Sequence, residues 1–132
     1  LLDTLQAELA TFAERSGIQP ELTIQGEPLV SPAISHQICR LVGEALTNIH
    51  RHAHASRVQV SIEASAVELR LRIADDGIGF HPARIDHLKS FGLVGMKERA
   101  RLMNARFEVH SVPGEGTVIS VCCPLAGLKE TS

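Results

Sequence analysis

Asp75-Asp76-Gly77-Ile78-Gly79 closes an alternating run of residues, and Glu44 and Asn48 lie upstream of it at helical spacing. Two more glycine pairs follow, Gly92/Gly95 and Gly114/Gly116, the last running straight into Thr117. Six of the ten glycines therefore fall in three short clusters, each at a junction between periodic segments. Glycine lets backbone N–H groups approach a ligand closely, so three such turns can converge on a polyphosphate. A carboxylate held beside them would select something flatter, such as a purine edge. Together these residues read as a nucleotide site.

Strand phase separates the two aspartates. Asp75 is in phase with Val67, Leu69, Leu71 and Ile73, a face expected to meet the helices, and Asp76 points the other way. A carboxylate aimed at a core wall is costly unless it is paired or hydrogen-bonded, and the exocyclic amine of adenine is a donor that would satisfy it. Thr117, across the sheet, could assist. The alternative is a turn aspartate before Gly77. Glu44, Asn48 and His52 recur at i, i+4 and i+8, which keeps all three on one flank of a helix. Asn48 offers an amide oxygen suited to Mg²⁺ already surrounded by phosphate oxygens and water. Glu44 could hold a metal-bound water or accept a proton, and Arg51 could meet a phosphate. A solvated helix face with i,i+4 pairs is the competing reading. Gly92-Leu93-Val94-Gly95-Met96 opens a helix, where unpaired N–H groups and the positive dipole end favour an anion.

Other chemistries are excluded or disfavoured. His50, His52 and His54 do not share one helix face, and no third ligand accompanies the pair that does. The glycines fit neither the Walker pattern nor G-x-G-x-x-G. A formal charge of −2 and the absence of Trp and Tyr give no footprint for nucleic acid. No apolar run is long enough to span a membrane. Cys39, Cys122 and Cys123 make an odd count without C-x-x-C spacing, and adjacent Cys122 and Cys123 lie on opposite strand faces, so reduced thiols are expected. The chain begins at Leu1 and reads as a piece of something longer.

The elements that must position these residues follow from periodicity. Leu2, Leu5, Leu9 and Phe12 mark a helix over about 2–15 stopped by Gly17. A short strand is expected over 21–25. Ser31-Pro32 reads as an N-cap with proline at the first helical position, opening a helix to about Ala53 with Ile34, Ile38, Leu41, Ala45 and Ile49 as its apolar stripe. Val58, Val60 and Ile62, then Val67 to Ile73, are two strands joined tightly at Ser65-Ala66. Residues 80–91 look irregular, 92–104 helical, and two strands near 106–111 and 117–123 are joined by Pro113-Gly114-Glu115-Gly116. The order α-β-α-β-β-α-β-β predicts an α+β domain, a two-layer α/β sandwich with helices on one face of a mixed sheet.

At this point the chain resembles a known family. Glu44-Ala-Leu-Thr-Asn48-Ile-His-Arg51-His52 is similar to the N-box of histidine-kinase ATP-binding domains, and Asp75-Asp-Gly77-Ile-Gly79-Phe80 to their first glycine box. Phe91-Gly92-Leu-Val-Gly95-Met96-Lys-Glu-Arg99 resembles the second box and Gly114-Glu-Gly116-Thr117 the third, in matching order. The resemblance implies a Bergerat-type ATP-binding fold, within the superfamily of gyrase, heat-shock chaperones, histidine kinases and MutL. It implies one catalytic domain over 1–132, with residues 1–16 leading into it and 80–91 forming an ATP lid.

Carried over by position, the resemblance makes Asp75 the ligand of the adenine amine and Asn48 the ligand of Mg²⁺. Glu44 is the catalytic candidate as an organiser of metal and water, and Arg51 and His52 are further nucleotide-binding candidates on the same helix. Gly77 and Gly79 shape the adenine pocket, Gly92, Gly95 and Met96 the lid side, and Thr117 the adenine end. Lys97 stands where arginine is commoner. The wording Gly-Leu-x-Gly-Met-x-Glu-Arg points to the nitrate/nitrite-sensor-like subfamily. The γ-phosphate of ATP would then pass to a histidine on a dimerising upstream domain absent from this chain, and onward to a response regulator with a helix-turn-helix output. The domain would be cytoplasmic, with a parent protein that the inner membrane could anchor. An anti-sigma-factor-type serine kinase and a non-catalytic nucleotide-sensing module are the alternatives.

Overall fold

Ser31 starts the longest helix through local chemistry: its Oγ accepts from the Ile34 N–H at 3.2 Å, and Pro32, which has no N–H to leave orphaned, takes the first helical position. The computed structural model describes residues 1–80 and 92–125. The expected lid, apart from Phe80, therefore lies outside the described residues. The helices are α1 (Leu2–Ser16), α2 (Pro32–Asn48) and α3 (Leu93–Leu102), and the strands are β1 (Glu21–Gln25), β2 (Val58–Ala64), β3 (Glu68–Asp75), β4 (Arg106–Val112) and β5 (Gly116–Pro124). As expected, α1 stops at Gly17 in the left-handed conformation, its N–H returning to the Ala13 carbonyl.

The strands form one mixed sheet in the order β1-β2-β3-β5-β4. β1 runs parallel to β2 and every other pair is antiparallel. Register sets two rows of apolar side chains on the inner face. Phe107, Val121, Leu71, Ile62 and Ile24 form one row, and Val109, Ile119, Ile73, Val60 and Leu22 the next. Leu5, Leu9 and Phe12 of α1, Ile38, Leu41 and Ala45 of α2, and Met96 and Ala100 of α3 pack into the same core. The outer face carries Ser61, Arg70, Arg72, Glu108 and Ser120. This is the expected two-layer α+β arrangement, with the described helices on one side of the sheet. No helix among the described residues is long and apolar enough to cross a membrane.

Two expectations need correction. α2 ends at Asn48 and continues as a π-helical turn over Ile49–Ala53, closed by His54 in the left-handed region. Val67, expected on the inner face, precedes β3 and is 60% exposed. The turn holds it there: the Val67 and Glu68 N–H groups both donate to Ser65 Oγ, and only the Val67 carbonyl is paired across the sheet, accepting from the Leu125 N–H at 2.8 Å. The three thiols are free, with Cys123 buried and Cys122 half-buried on the other face.

Candidate nucleotide site

At one end of the inner face the apolar rows give way to a polar one. Ser111, Thr117, Asp75 and Val58 sit side by side across β4, β5, β3 and β2. Ser111 and Thr117 are the buried polar residues of the described core, and their hydroxyls lie 2.8 Å apart. Ser111 Oγ also accepts from the Phe80 N–H at 2.9 Å and lies 3.2 Å from the Gly116 carbonyl. Ser111 had no signal in the sequence, because its place depends on β4–β5 register.

Asp75 is half-buried beside them. One carboxylate oxygen accepts from the Gly77 N–H at 2.8 Å, so the turn role and the inward orientation coexist. Burial raises its pKa, the Asp76 charge raises it further, and the Gly77 and Thr117 amides oppose the shift. Asp76 faces away, as strand phase requires. It accepts from the Ser56 and Arg57 N–H groups, each at 2.8 Å, and from Ser56 Oγ at 2.7 Å. Those bonds, led by the Arg57 amide, hold its pKa below the ordinary value. Asp76 is therefore the anchor of the loop that follows the π turn.

The glycine clusters meet each other. A Cβ on Gly79, at φ +66°, would stand 2.2 Å from the Val112 carbonyl oxygen, and one on Gly116, at φ +95°, would stand 2.1 Å from that of Asp75. The Gly114 N–H donates to the Ile78 carbonyl. The first and third clusters thus permit backbone-to-backbone contact, where ligand approach was the reason expected for Gly79. Gly92 differs. It opens α3 at φ +65° with open space around its missing side chain and no side-chain cap over the helix end.

Two of the recesses beside α2 and its π turn are lined by candidate site residues on both sides. The smaller, about 20 Å³, is lined by Asn48, Ile49, His52, Asp75, Ile78, Gly79, Phe80 and Thr117. That volume holds about one water molecule, so a purine enters only if the recess widens. The larger, about 650 Å³, is lined among others by Glu8, Arg40, Glu44, Asn48, Arg51, His52, Gly92 and Gly95. Asn48 and His52 belong to both. The π turn, which adds a residue per turn to the helix, still leaves His52 on the Asn48 flank.

Two site expectations change. Met96 is fully buried and packs in the core, so its side chain does not face the cleft. Glu44 is not a free carboxylate. Arg99 Nε donates to its Oε1 at 2.7 Å, and Arg99 Nη1 donates to Gln37 Oε1 at 3.3 Å. Arg99 stood inside a recognised box, yet nothing local tied it to a residue on another helix. Among the described residues no group of three or more His, Cys, Asp or Glu side chains is placed to hold a metal.

The family described as "Histidine kinase-, DNA gyrase B-, and HSP90-like ATPase" matches residues 33–127. The sensor histidine kinase LiaS of Bacillus subtilis (strain 168) is 38% identical over 127 residues, covering 95% of this chain and 34% of that protein. The sensor histidine kinase YhcY of the same organism is 34% identical over 125 residues, covering 95% and 33%. This chain spans about a third of the length of the curated relatives it matches. The solved Acinetobacter baumannii histidine kinase AdeS superposes with a TM-score of 0.79 at 18% identity, covering 94% of this chain and 64% of that one. The mycobacterial sensor histidine kinase MprB gives 0.74 at 20% identity, covering 93% and 94%. At these identities the structural likenesses establish the fold.

Proposed function

The chain belongs to the histidine kinase-, DNA gyrase B- and HSP90-like ATPase family, and on that premise we propose that it is the catalytic ATP-binding domain of a sensor histidine kinase. The observation that carries the reading is the pair Asn48 and His52, which line both the recess of Asp75 and the cleft of Gly92 and Gly95. One molecule with a flat donor-bearing base at one end and a polyphosphate at the other fits that continuity. The site residues divide accordingly. Asp75 reads the adenine amine with Thr117 beside it, and Arg51, His52 and the uncapped start of α3 meet the phosphates.

The donor set also fits the metal. Asn48 supplies a neutral oxygen, and among the described residues no group of three or more His, Cys, Asp or Glu is placed to form a cage of its own, which suits Mg²⁺ delivered on the nucleotide. Mg²⁺ supplies charge neutralisation on the transferring phosphoryl group. The side chains position: Asp75 orients the base, Asn48 the metal-bearing phosphates, and the amides near Gly92 accept negative charge. Residues 1–16 lead into the domain and 80–91 serve as its lid. The acceptor is a histidine on an upstream, dimerising domain of the same protein, and the second partner is a response regulator. The Gly-Leu-Val-Gly-Met-Lys-Glu-Arg wording supports a kinase of the nitrate/nitrite-sensor-like subfamily, whose response regulator carries a helix-turn-helix output. The domain works in the cytoplasm, where ATP is supplied.

Calorimetric titration tests the reading. The chain should bind ADP with Mg²⁺, and Asp75→Asn should lose about tenfold or more, because its amide can present a donor to a donor at one hydrogen bond worth about 1.5–3 kcal/mol. Unchanged affinity in that variant would remove adenine from the Asp75 recess. Transfer to a histidine requires the longer protein; this chain alone should remain unphosphorylated when incubated with labelled ATP.

A further inference from the structure

Arg99 reaches from α3 to two positions on α2 that lie two helical turns apart, Gln37 and Glu44. Its pair with Glu44 is partly withdrawn from water, the side chains being 22% and 33% exposed. The second Glu44 oxygen faces Gly95, where a Cβ would stand 3.4 Å from it. Glu44 and Gly95 both line the larger cleft, and Asn48 is one turn beyond Glu44 on the same flank. A single guanidinium therefore sets the offset between Asn48 and the turn of α3 that carries Gly92 and Gly95. Arg99 stands behind that wall rather than on it.

The charges on the wall sharpen the point. Arg40, Arg51 and His52 line the cleft together with the carboxylates of Glu8 and Glu44. A carboxylate at Glu44 without its cation would repel a polyphosphate in a partly desolvated space. Its neutralisation is a requirement for an anion site there.

We propose that Arg99 is a positioning residue for the nucleotide: it holds Glu44 against Gly95, registers α3 on α2, and cancels the carboxylate charge beside the phosphates. The proposal rests on the reading that this cleft takes the phosphates of a nucleotide. It also casts Glu44 as an organiser whose Oε1 is already committed to Arg99.

The test uses ADP·Mg²⁺ binding by the 132-residue chain, with thermal melts confirming that each variant is folded. Arg99→Met should weaken ADP about tenfold, equivalent to about 1.4 kcal/mol, and Arg99→Lys should recover part of the loss because charge returns without the fork. The decisive variant is the double substitution Arg99→Met with Glu44→Gln. If Arg99 matters through the Glu44 charge, the double variant binds ADP more tightly than Arg99→Met alone, although it has lost one more native side chain. A residue that merely packed two helices would give the opposite order. Should Arg99→Met not fold, Arg99→Gln, which can still donate a hydrogen bond but carries no charge, takes its place with the same two outcomes. Failure of the native chain to bind ADP overturns the nucleotide reading itself. Normal native binding with equal or weaker binding by the double variant overturns the role of Arg99 only.

Discussion

Asp75 and Asp76 are adjacent in the chain and opposite in their electrostatics. Asp76 is almost fully solvated, yet three donors from Ser56 and Arg57 hold it ionised and below its ordinary value of 3.8. Its contribution to stability is complete above that value and is lost as pH falls through the lower folded one. Asp76→Ala should cost about 1 kcal/mol in urea denaturation at neutral pH, after allowing for solvent screening. That loss should disappear in strong acid. Asp75 works the other way. Burial raises its pKa above 3.8, so its contribution is fully present below that value and is lost as pH rises through the raised folded one. At neutral pH the ionised carboxylate opposes folding, and Asp75→Asn should raise the melting midpoint while it weakens ADP. An unchanged or lower midpoint at pH 7, measured by calorimetry, would contradict the burial argument. The division between these two residues was legible from strand alternation alone. Ser111 and Arg99 were not, because one depends on the register of β4 against β5 and the other on how α3 packs on α2.

At the scale of elements, the helices and strands followed from apolar spacing, capping at Ser31-Pro32 and glycine stops, whose causes are local. What local patterning could not supply was the π turn, since the pattern of Ile49–Ala53 still reads as helix. Nor could it show why the glycines are glycines. Gly79 and Gly116 are held against carbonyl oxygens of other strands, whereas Gly92 faces open space. Substitution should separate the cases. Gly79→Ala and Gly116→Ala combine a left-handed backbone with a steric clash and should each cost about 3 kcal/mol or more. Gly92→Ala meets only the left-handed penalty, about 1 kcal/mol. Urea midpoints would distinguish them, and equal losses at Gly79 and Gly92 would refute the backbone-contact explanation.

At the scale of the whole molecule, the α+β order and the one-sided sheet were readable from the alternation of periods. The strand order was not. The chain inserts β5 between β3 and β4, and that insertion brings the end of β3 against the β4–β5 turn. The base-side recess is consequently assembled from α2, the end of β3 and the start of β5. Such long-range contacts carry a loop-closure cost that local ones do not. The backbone contact between Gly79 and Val112 therefore has a kinetic meaning: the recess exists only once the last hairpin has docked. Saturating ADP·Mg²⁺ should leave the refolding rate nearly unchanged and slow unfolding about a hundredfold at a concentration one hundred times the dissociation constant. Stopped-flow refolding that accelerated with ADP would mean the recess forms before the hairpin closes. In a growing chain the same contact sets an order: the base-side recess lacks its Thr117 wall until β4 and β5 have emerged and paired.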